Sequence, residues 1–466
     1  MKICIIGAGV AGLQTANILS AEGHDCHIYE KKPSAGGVWL QNYDGYSLQV
    51  PSELYEFCGM KKVELDNTFP TGSEVCDTIQ EFIRTNALEE KCKFKFNTTV
   101  LKITRVREEW SVESYDDIEH HSSYDNFDFC IVCTGMYSIP KIPDEFQKFQ
   151  PLHSSEFLDA SICKDKHVIV VGAGKSAIDC AVEAQKYASK VELVMRDCHW
   201  PVPRYILGFI PFKWGTYSRL GHALLPEHWN LNEDEVTLHK ILSPFKFAIW
   251  KCLEFLFAIQ FKLKKKPHKP LVQDLFNGGQ ILTYEFRNCV ANGSISQIIT
   301  PHIYDYVEQN FKESTLIVCG TGFKKDYEIF DEDVHEKLDL CNDGLWLYKN
   351  IIPVGIPDIA FIGSEVSTFN NILTHNIQAQ WLCHNLKNGF ETNENMQEYI
   401  EKDKEWKRKW MPFSSSRASL IQLHMTKYHD ILMQDMNKPL VKNRWWDWIV
   451  PITARDFWPN KYERME

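Results

Sequence analysis

The stretch KICIIGAGVAGL at residues 2–13 joins a β-branched run to three spaced glycines and then to a helical pattern. The run is typical of a buried parallel strand. Gly7, Gly9 and Gly12 match G-x-G-x-x-G, which combines a tight turn, room for a pyrophosphate at the backbone, and close packing of helix on strand. The free N–H groups at the helix start would face the phosphates. The residues expected to bind a dinucleotide here are Gly7, Ala8, Gly9, Val10, Ala11 and Gly12.

An acidic residue follows this first glycine turn at the distance that dinucleotide sites use. The strand pattern DCHIYE at residues 25–30 ends in Glu30, about 20 residues beyond the glycines, where a carboxylate accepts hydrogen bonds from ribose hydroxyls. This pattern fits NAD and FAD equally, so both nucleotides stay open on these residues alone.

The chain repeats the arrangement in VIVVGAGKSAID at residues 168–179. The next strand pattern, KVELVM, is followed by Arg196, where the first unit has Glu30. A guanidinium pairs with a ribose 2′-phosphate that a carboxylate would repel, so the second site is predicted to take NADPH. The alternative for Arg196 is a solvated charge at a strand end. The residues expected at this second glycine turn are Gly172, Gly174, Lys175, Ser176, Ala177 and Arg196.

Length and composition indicate a globular protein of two or three domains, because 466 residues exceed one simple core. The net charge of −11 argues against a nucleic-acid footprint. Fifteen cysteines without a regular framework, and a chain that opens directly on a strand pattern, favour a reduced, cytoplasmic setting. We find no zinc-type spacing of histidines and cysteines and no apolar run long enough to cross a membrane.

One apolar segment has two interpretations. Residues 246–260, KFAIWKCLEFLFAIQ, precede the basic run KLKKKPHK. The first interpretation is a helix packed on the core, and the second is an interfacial helix on an anionic lipid surface. The tryptophans of NRWWDWIV, Trp445, Trp446 and Trp448, are expected to be packing anchors or a dimer contact.

Three further segments decide between the nucleotides by resemblance. KKPSAGGVW at residues 31–39 resembles the extended FAD signature of flavoproteins with two dinucleotide-binding domains. FCIVCTGMYSIPKIP at residues 129–143 resembles the strand and A-T-G segment of those proteins, and IAFIG at residues 359–363 resembles their last strand under the flavin. The first site is therefore expected to hold FAD.

With both glycine turns, the chain resembles the flavin-containing monooxygenases, the class B flavoprotein monooxygenases, and most of all their plant-type members. The family's linker motif, F-x-G-x-x-x-H-x-x-x-[Y/F/W], is matched in its second half by His153 and Phe157, whereas Gln147 and Phe149 depart from its first half. Other segments that resemble the family are FPTGSEVCDTIQEF (69–82), RDCHWPVPRY (196–205), LIVCGTGF (316–323) and NIQAQW (376–381).

The resemblance implies an α/β fold of two Rossmann-like domains, with the NADPH domain inserted into the FAD domain. The expected FAD domain is residues 1–150 and 310–466, and the expected NADPH domain is residues 151–309 with a helical insertion at about 205–290. The resemblance also implies NADPH- and O₂-dependent oxygenation of a small organic molecule, at nitrogen or sulfur, through a C4a-hydroperoxyflavin. Further flavin-site residues implied are Gly37, Val38, Trp39, Gln49, Val50, Thr134, Gly135 and Gln378.

Gln49 is the one residue to which the resemblance gives a catalytic position. Animal members place an asparagine near the flavin C4a and the nicotinamide, and alignment through LQVPSELYEF puts Gln49 there. Plant indole-pyruvate-type members also depart from asparagine at this point. Glutamine keeps the amide on a side chain one methylene longer.

Four other functions share parts of this pattern, and one of them is an NADPH oxidase, which would release peroxide. Baeyer–Villiger monooxygenases share both glycine turns but end the linker motif in Trp or Tyr. Flavin disulfide reductases need a cysteine pair beside the flavin, and Cys130 and Cys133 form C-x-x-C only on a strand pattern that points them to opposite faces. A non-catalytic descendant is disfavoured by the intact glycines and Glu30.

Overall fold

A computed structural model describes most of the chain. The described residues are 1–60, 68–263, 266–277, 280–325, 327–341, 343–367, 370–410, 421–422, 425–438 and 448–457. Trp445 and Trp446, expected as packing anchors, lie outside these residues, and so do two lysines of the basic run that follows residue 260.

The first sheet is parallel and contains the first glycine turn. Its order across the sheet is Ile359–Phe361, Phe129–Val132, Lys2–Ile6, Asp25–Tyr29 and Lys93–Lys95. The central strand KICII is buried on both faces, which explains its continuous apolar run. The helix Val10–Ala21 packs on this sheet and against the helix Asn371–Asn388.

The second sheet is also parallel and contains the second glycine turn. Its order is Ile295–Ile299, Lys190–Met195, His167–Val171, Thr315–Cys319 and Leu152–His153. Because all strands of the second sheet, at residues 152–319, lie in the chain between strands of the first sheet, the predicted fold of one Rossmann-like unit inserted in another is confirmed.

The predicted boundary at residue 310 needs a correction. The strand Thr315–Cys319 pairs with His167–Val171 along its whole length, so this strand belongs to the second sheet. The sequence could not show this, since a short apolar strand that precedes a glycine looks the same in either unit. First-sheet pairing resumes only at Ile359–Phe361.

Smaller elements complete the molecule. A three-stranded antiparallel sheet is formed by Thr98–Val106, Glu109–Asp116 and His121–Phe127. Two-stranded pairs are Ile139–Pro140 with Phe323–Lys324, Pro201–Pro203 with Gln280–Leu282, Tyr205–Ile206 with Ile210–Pro211, Leu340–Cys341 with Gly344–Leu345, and Val366–Ser367 with Ile421–Gln422. The remaining helices outside residues 205–291 are Gly72–Thr85, Leu88–Lys91, Lys175–Ala184, Ile303–Asn310, Glu332–Lys337, Asn393–Trp410, Met425–Asp435 and Ala454–Phe457.

The predicted helical insertion lies in the chain between the strands Lys190–Met195 and Ile295–Ile299 of the second sheet. It opens with a small antiparallel hairpin, Tyr205–Pro211. Its helices are Phe212–Thr216, Arg219–Ala223, Glu233–Gln260, Leu271–Asn277 and Tyr284–Ala291. The 28-residue helix Glu233–Gln260, here called the long helix, begins at a capping box formed by Asn232 and Glu235.

Candidate active site

One continuous cleft of about 2210 Å³ joins both glycine turns. The first helix start and the second helix start both open into it, so each offers unpaired backbone N–H groups to the same space. Such helix starts bind phosphates through these N–H groups and the helix dipole. The cleft can therefore accept two dinucleotides.

The first turn contains glycines at positions where a side chain would be strained or would clash. Gly7 has a φ of +107°, and a Cβ on Gly12 would lie 1.9 Å from the Gly7 carbonyl oxygen. A Cβ on Gly37 would lie 3.0 Å from the Gly9 Cα, so these two backbones approach each other without side chains. The result is a bare backbone surface, which is what close approach of a pyrophosphate requires.

Glu30 stands at the wall of the cleft in a fixed orientation. Its Oε2 accepts a hydrogen bond from the Ala8 N–H at 2.8 Å, and its Oε1 accepts one from the Lys32 N–H at 2.9 Å. The side chain is buried but lines the cleft. The carboxylate still has lone pairs available for ribose hydroxyls.

The second turn has the same geometry, with alanine in place of the third glycine of the motif. Gly172 has a φ of +137°, and a Cβ there would lie 2.4 Å from the Gly320 carbonyl oxygen. Ala177, in the third position, packs against Gly320, where an added Cβ would lie only 2.5 Å from that of Ala177. Ala177 thus fits because its neighbour on the next strand end is a glycine.

The two predicted cations of the second site differ in availability. Arg196 is exposed, lines the cleft, and its guanidinium has no hydrogen-bond or ion-pair partner in the described part of the chain. Lys175 also lines the cleft, but its ammonium is paired with Asp179, one helical turn away. The Asp179 Oδ2 accepts a further hydrogen bond from the Tyr43 hydroxyl at 3.0 Å. Arg196 is therefore the more available charge for a phosphate.

Gln49 lies in the cleft at the junction of the two units. It is half-buried and lines the cleft beside Val50. The preceding residues are held by Arg204, whose Nη2 donates to the Ser47 Oγ at 2.8 Å and to the Leu48 carbonyl oxygen at 3.1 Å. The Arg204 guanidinium also lies 4.5 Å from the centre of the Phe69 ring. A side chain from the second unit thus orients the loop that carries Gln49.

Most of the predicted site residues meet in this one cleft, and four do not reach its surface. Those that line it are Gly7, Gly9, Val10, Ala11, Glu30, Gly37, Val38, Trp39, Gln49, Val50, Thr134, Gly135, Gly172, Gly174, Lys175, Ser176 and Arg196. Those behind the surface are Ala8, Gly12, Ala177 and Gln378. Ala8, Gly12 and Ala177 belong to the two turns and lie beneath the surface of the cleft.

Gln378 was expected on the helix beneath the flavin, and the structure gives it an indirect position. Its side chain is fully buried. Its Oε1 accepts a hydrogen bond from the Gly363 N–H at 3.1 Å, and its Nε2 donates to the Glu365 Oε1 at 2.6 Å. Gly363 and Glu365 line the cleft, so Gln378 acts by positioning them.

The sequence reasoning missed several ionisable residues of the cleft wall. Burial raises the pKa of the Glu365 carboxyl, and burial lowers the pKa of the Lys325 ammonium, which bonds to the Ser364 carbonyl oxygen. Burial also lowers the pKa of Lys213 to about 7 and that of His375 to about 4. These residues lie in segments that carry no motif, so only the folded chain brings them together.

The two cysteines of C-x-x-C are separated by the sheet. Cys130 lies within the strand Phe129–Val132 opposite Cys4, and Cys133 follows the strand and packs on the other face. Cys133 lines the cleft and Cys130 does not. No pair of thiols therefore stands at the cleft among the fifteen cysteines, all of which are described and unbridged.

His153 has a structural position. Its ring is fully buried, with Nε2 2.8 Å from the Gly322 carbonyl oxygen and Nδ1 accepting from the Ser155 N–H at 3.2 Å. Burial lowers the pKa of this histidine. It ties the linker to the end of the second sheet. No cluster of three or more potential metal ligands occurs in the described residues.

The chain matches the family described as FMO-like, flavin-binding monooxygenase-like, over residues 1–443. The chain belongs to this family. Flavin binding and monooxygenase chemistry are thereby confirmed at the level of the family, as is the predicted dependence of such enzymes on FAD and NADPH.

The alignments with named relatives extend over most of the chain. Flavin-containing monooxygenase 3 of Canis lupus familiaris is 24% identical over 92% of this chain and 82% of its own length. A probable flavin-containing monooxygenase 1 of Arabidopsis thaliana is 25% identical over 82% of this chain and 81% of its own. A crystal structure of OTEMO in complex with FAD and NADP shares the fold, with a TM-score of 0.67 at 16% identity over 93% of this chain and 97% of that chain.

Proposed function

We propose that this protein is an FAD- and NADPH-dependent monooxygenase that oxygenates a small organic molecule at nitrogen or sulfur through a C4a-hydroperoxyflavin. The single observation that carries the proposal is the continuous cleft that both glycine turns share. A flavin held at the first turn and a nicotinamide held at the second would lie in the same cleft. The proposal is supported by two named relatives, one called a flavin-containing monooxygenase and the other a probable flavin-containing monooxygenase.

The residues fit the two cofactors. FAD would lie on the bare backbone of Gly7, Gly9 and Gly37, with its ribose at Glu30. NADPH would lie on the second helix start, with its 2′-phosphate at Arg196. When bound, FAD supplies the redox and oxygen chemistry. The protein orients both cofactors, and Gln49 presents an amide where they would meet.

The alternative within the family is Baeyer–Villiger oxygenation of a ketone. It remains a second candidate because it would use the same two cofactors and the same cleft. The linker residue Phe157, fully buried in the core of the second unit, stands where those enzymes carry Trp or Tyr, which favours the first proposal.

The test uses the flavin-loaded enzyme, NADPH and ¹⁸O₂ with three probes: a tertiary amine, a thioether and a cyclic ketone. The balanced reaction consumes substrate, O₂, NADPH and one proton, and it yields oxygenated substrate, water and NADP⁺. We expect N-oxide or sulfoxide that carries one ¹⁸O atom. A labelled lactone as sole product would establish the Baeyer–Villiger alternative.

Hydrogen peroxide in proportion to all NADPH consumed, with every probe, would show an oxidase and overturn the proposal. The observation that most directly tests it is the absorption spectrum of the reduced enzyme after mixing with oxygen in a stopped-flow instrument.

The cytoplasmic location and a homodimer stay predictions.

A further inference from the structure

A buried carboxyl group forms part of the wall of the cleft beside the first glycine turn. Glu365 is only 2% exposed, yet it lines the cleft together with Gly363. Gly363 lies against the first helix start, because a Cβ on it would be 3.3 Å from the Ala11 Cβ. The acid therefore lies near the place proposed for the flavin, in a position where burial penalises its ionised form.

The hydrogen bonds of Glu365 suit a carboxyl group that carries its proton. Its Oε1 accepts from the Gln378 Nε2 at 2.6 Å, and its Oε2 lies 3.2 Å from the Ser364 Oγ. The Ser364 Oγ also lies 3.3 Å from the Asn350 carbonyl oxygen, which can only accept. A hydroxyl has one hydrogen, so a bond donated to Asn350 leaves the Ser364 Oγ to accept from a protonated Oε2. Both contacts are then hydrogen bonds only if Glu365 is protonated.

A lysine of the cleft wall lies beside this acid. The Lys325 ammonium donates to the carbonyl oxygen of Ser364, the residue that precedes the acid, and Lys325 lines the cleft. Burial raises the pKa of the Glu365 carboxyl and lowers the pKa of the Lys325 ammonium, so the two pKa values approach each other. The cost of moving a proton between two groups falls as their pKa values converge. The lysine is therefore suited to replace a proton that the acid gives up.

The other charged and titratable groups that face Glu365 are Lys407, Tyr327 and Tyr428. Lys407 is fully buried and does not line the cleft. Burial raises the pKa of both tyrosines, so they stay neutral near neutral pH. Of the two lysines that face the acid, Lys325 is thus the one with access to the cleft.

We propose that Glu365 holds the proton that each turnover consumes and that Lys325 replaces it. The inference rests on the proposed function, whose balance takes up one proton with substrate, O₂ and NADPH. Glu365 releases a proton from Oε2 to the reduced oxygen in the cleft, and its carboxylate takes one from the Lys325 ammonium. Water at the mouth of the cleft returns a proton to the lysine amine, so no charge accumulates. Two bound dinucleotides exclude water from the cleft, which gives a proton held in its wall a use.

The first measurement is the infrared band of a protonated carboxyl group in the flavin-loaded enzyme, without substrate or oxygen. Exposed aspartates and glutamates are ionised at neutral pH and do not contribute to this band. The band should be present and should disappear as the pH rises through the raised pKa of Glu365. It should be lost in Glu365→Gln.

Glu365→Gln preserves the shape and the hydrogen bonds of the protonated acid. An amide at this position can accept from the Gln378 Nε2 and donate to the Ser364 Oγ, but it has no proton to give up. Flavin absorbance and thermal unfolding of the variant should therefore stay close to those of the unchanged protein, which separates a proton-holding role from a structural one.

The matched control is Glu192→Gln in the second sheet. Glu192 is also buried, at 4% exposed, and does not line the cleft. Although burial acts to raise its pKa, hydrogen bonds from Lys190 and His167 hold the pKa of this carboxyl below its usual value. Glu192 is thus ionised at neutral pH, and its replacement should leave the infrared band unchanged.

The second measurement follows the reaction with the thioether probe in single turnovers. Flavin reduction by NADPH precedes the use of the proton, so its rate should change by less than about 2-fold in Glu365→Gln. Sulfoxide should form about 10- to 100-fold more slowly, because a proton donor is lost and water replaces it in part. In the unchanged protein this step should slow as the pH rises through the pKa of Glu365, and the variant should lose that dependence. Lys325→Gln should keep the first turnover and slow the following ones.

An infrared band that persists in Glu365→Gln would overturn the proposal. So would sulfoxide formation by that variant at the unchanged rate and with the unchanged pH dependence. Failure of the proposed function has a different signature, because the unchanged protein would then give no oxygenated product with any probe, and the proton step would fall with it.

Discussion

The two glycine turns have nearly the same backbone and different surroundings. In both, the first glycine has a positive φ, and a Cβ there would fall within 2.6 Å of a carbonyl oxygen at the end of the neighbouring strand, Cys133 in one unit and Gly320 in the other. The third position differs. Gly12 has no room for a methyl group, whereas Ala177 has room because Gly320 has no side chain.

The two units also differ in the residue that follows the second strand of each dinucleotide motif. Glu30 is held by two backbone N–H groups and keeps one orientation. Arg196 is exposed and has no partner among the described residues. The comparison shows that a shared motif fixes the turn, and the neighbouring residues decide how rigid each site is. This difference is consistent with the proposal that a nucleotide stays bound at the first site and that one exchanges at the second.

The largest effect should come from the third position of the turns. Gly12→Ala places a Cβ 1.9 Å from a backbone oxygen, and backbone cannot move aside cheaply, so we expect protein that fails to retain FAD. The matched change, Ala177→Gly, only removes a buried methyl group and should cost about 1–2 kcal/mol of the free energy of unfolding. Flavin absorbance per protein and thermal unfolding measure both. Flavin retention in Gly12→Ala would contradict the claim that the first turn has no room for a methyl group at this position.

Arg196 should set the preference between nicotinamides. Loss of one charge-assisted pair costs roughly 1.5–3 kcal/mol, or about 10- to 150-fold in kcat/KM. Arg196→Ala should therefore erase most of the preference for NADPH over NADH. Arg196→Lys is the control, because it keeps the charge and loses the two-pronged geometry. Equal use of NADH by the unchanged enzyme would contradict the assignment of the second site.

Gln49 should affect how much NADPH is wasted as peroxide. Its extra methylene adds a rotatable bond, which costs up to about 1 kcal/mol to order. Gln49→Asn should lower the peroxide released per NADPH by roughly 2- to 5-fold in the absence of substrate. The measurement is a peroxide assay beside NADPH absorbance. An unchanged leak would show that the length of this side chain has no effect at the junction of the two sites, and a larger leak would show that the longer side chain suits the position better; either result would contradict the prediction.

An effect no larger than that of Gln49 should come from Asp179, which is paired with Lys175. Asp179→Asn frees the ammonium for the nucleotide phosphates and should lower the KM for NADPH by about 2- to 5-fold, the worth of one partly exposed pair. Tyr43→Phe removes the other hydrogen bond to Asp179 and is the control, since Lys175 stays paired. A raised KM in Asp179→Asn would show that Lys175 needs this partner to keep its orientation.

The sequence was sufficient for features that local spacing defines. The glycine turns, Glu30 and the insertion of one unit in another follow from motifs that span about 30 residues each. It was insufficient for contacts made across the fold. Arg204 reaches Ser47 across 157 residues, and Gln378 acts on the cleft only through Gly363 and Glu365. No local pattern distinguishes these side chains from ordinary polar residues.

The position of Cys133 has a consequence for resistance to oxidative damage. Cys133 lines a cleft in which the proposed reaction would form peroxide, and burial raises the pKa of its thiol to about 12. At neutral pH it stays protonated, and peroxides attack thiolates far faster than thiols. Under the proposed reaction, this thiol would therefore be oxidised to sulfenic acid far more slowly than a thiolate at the same place.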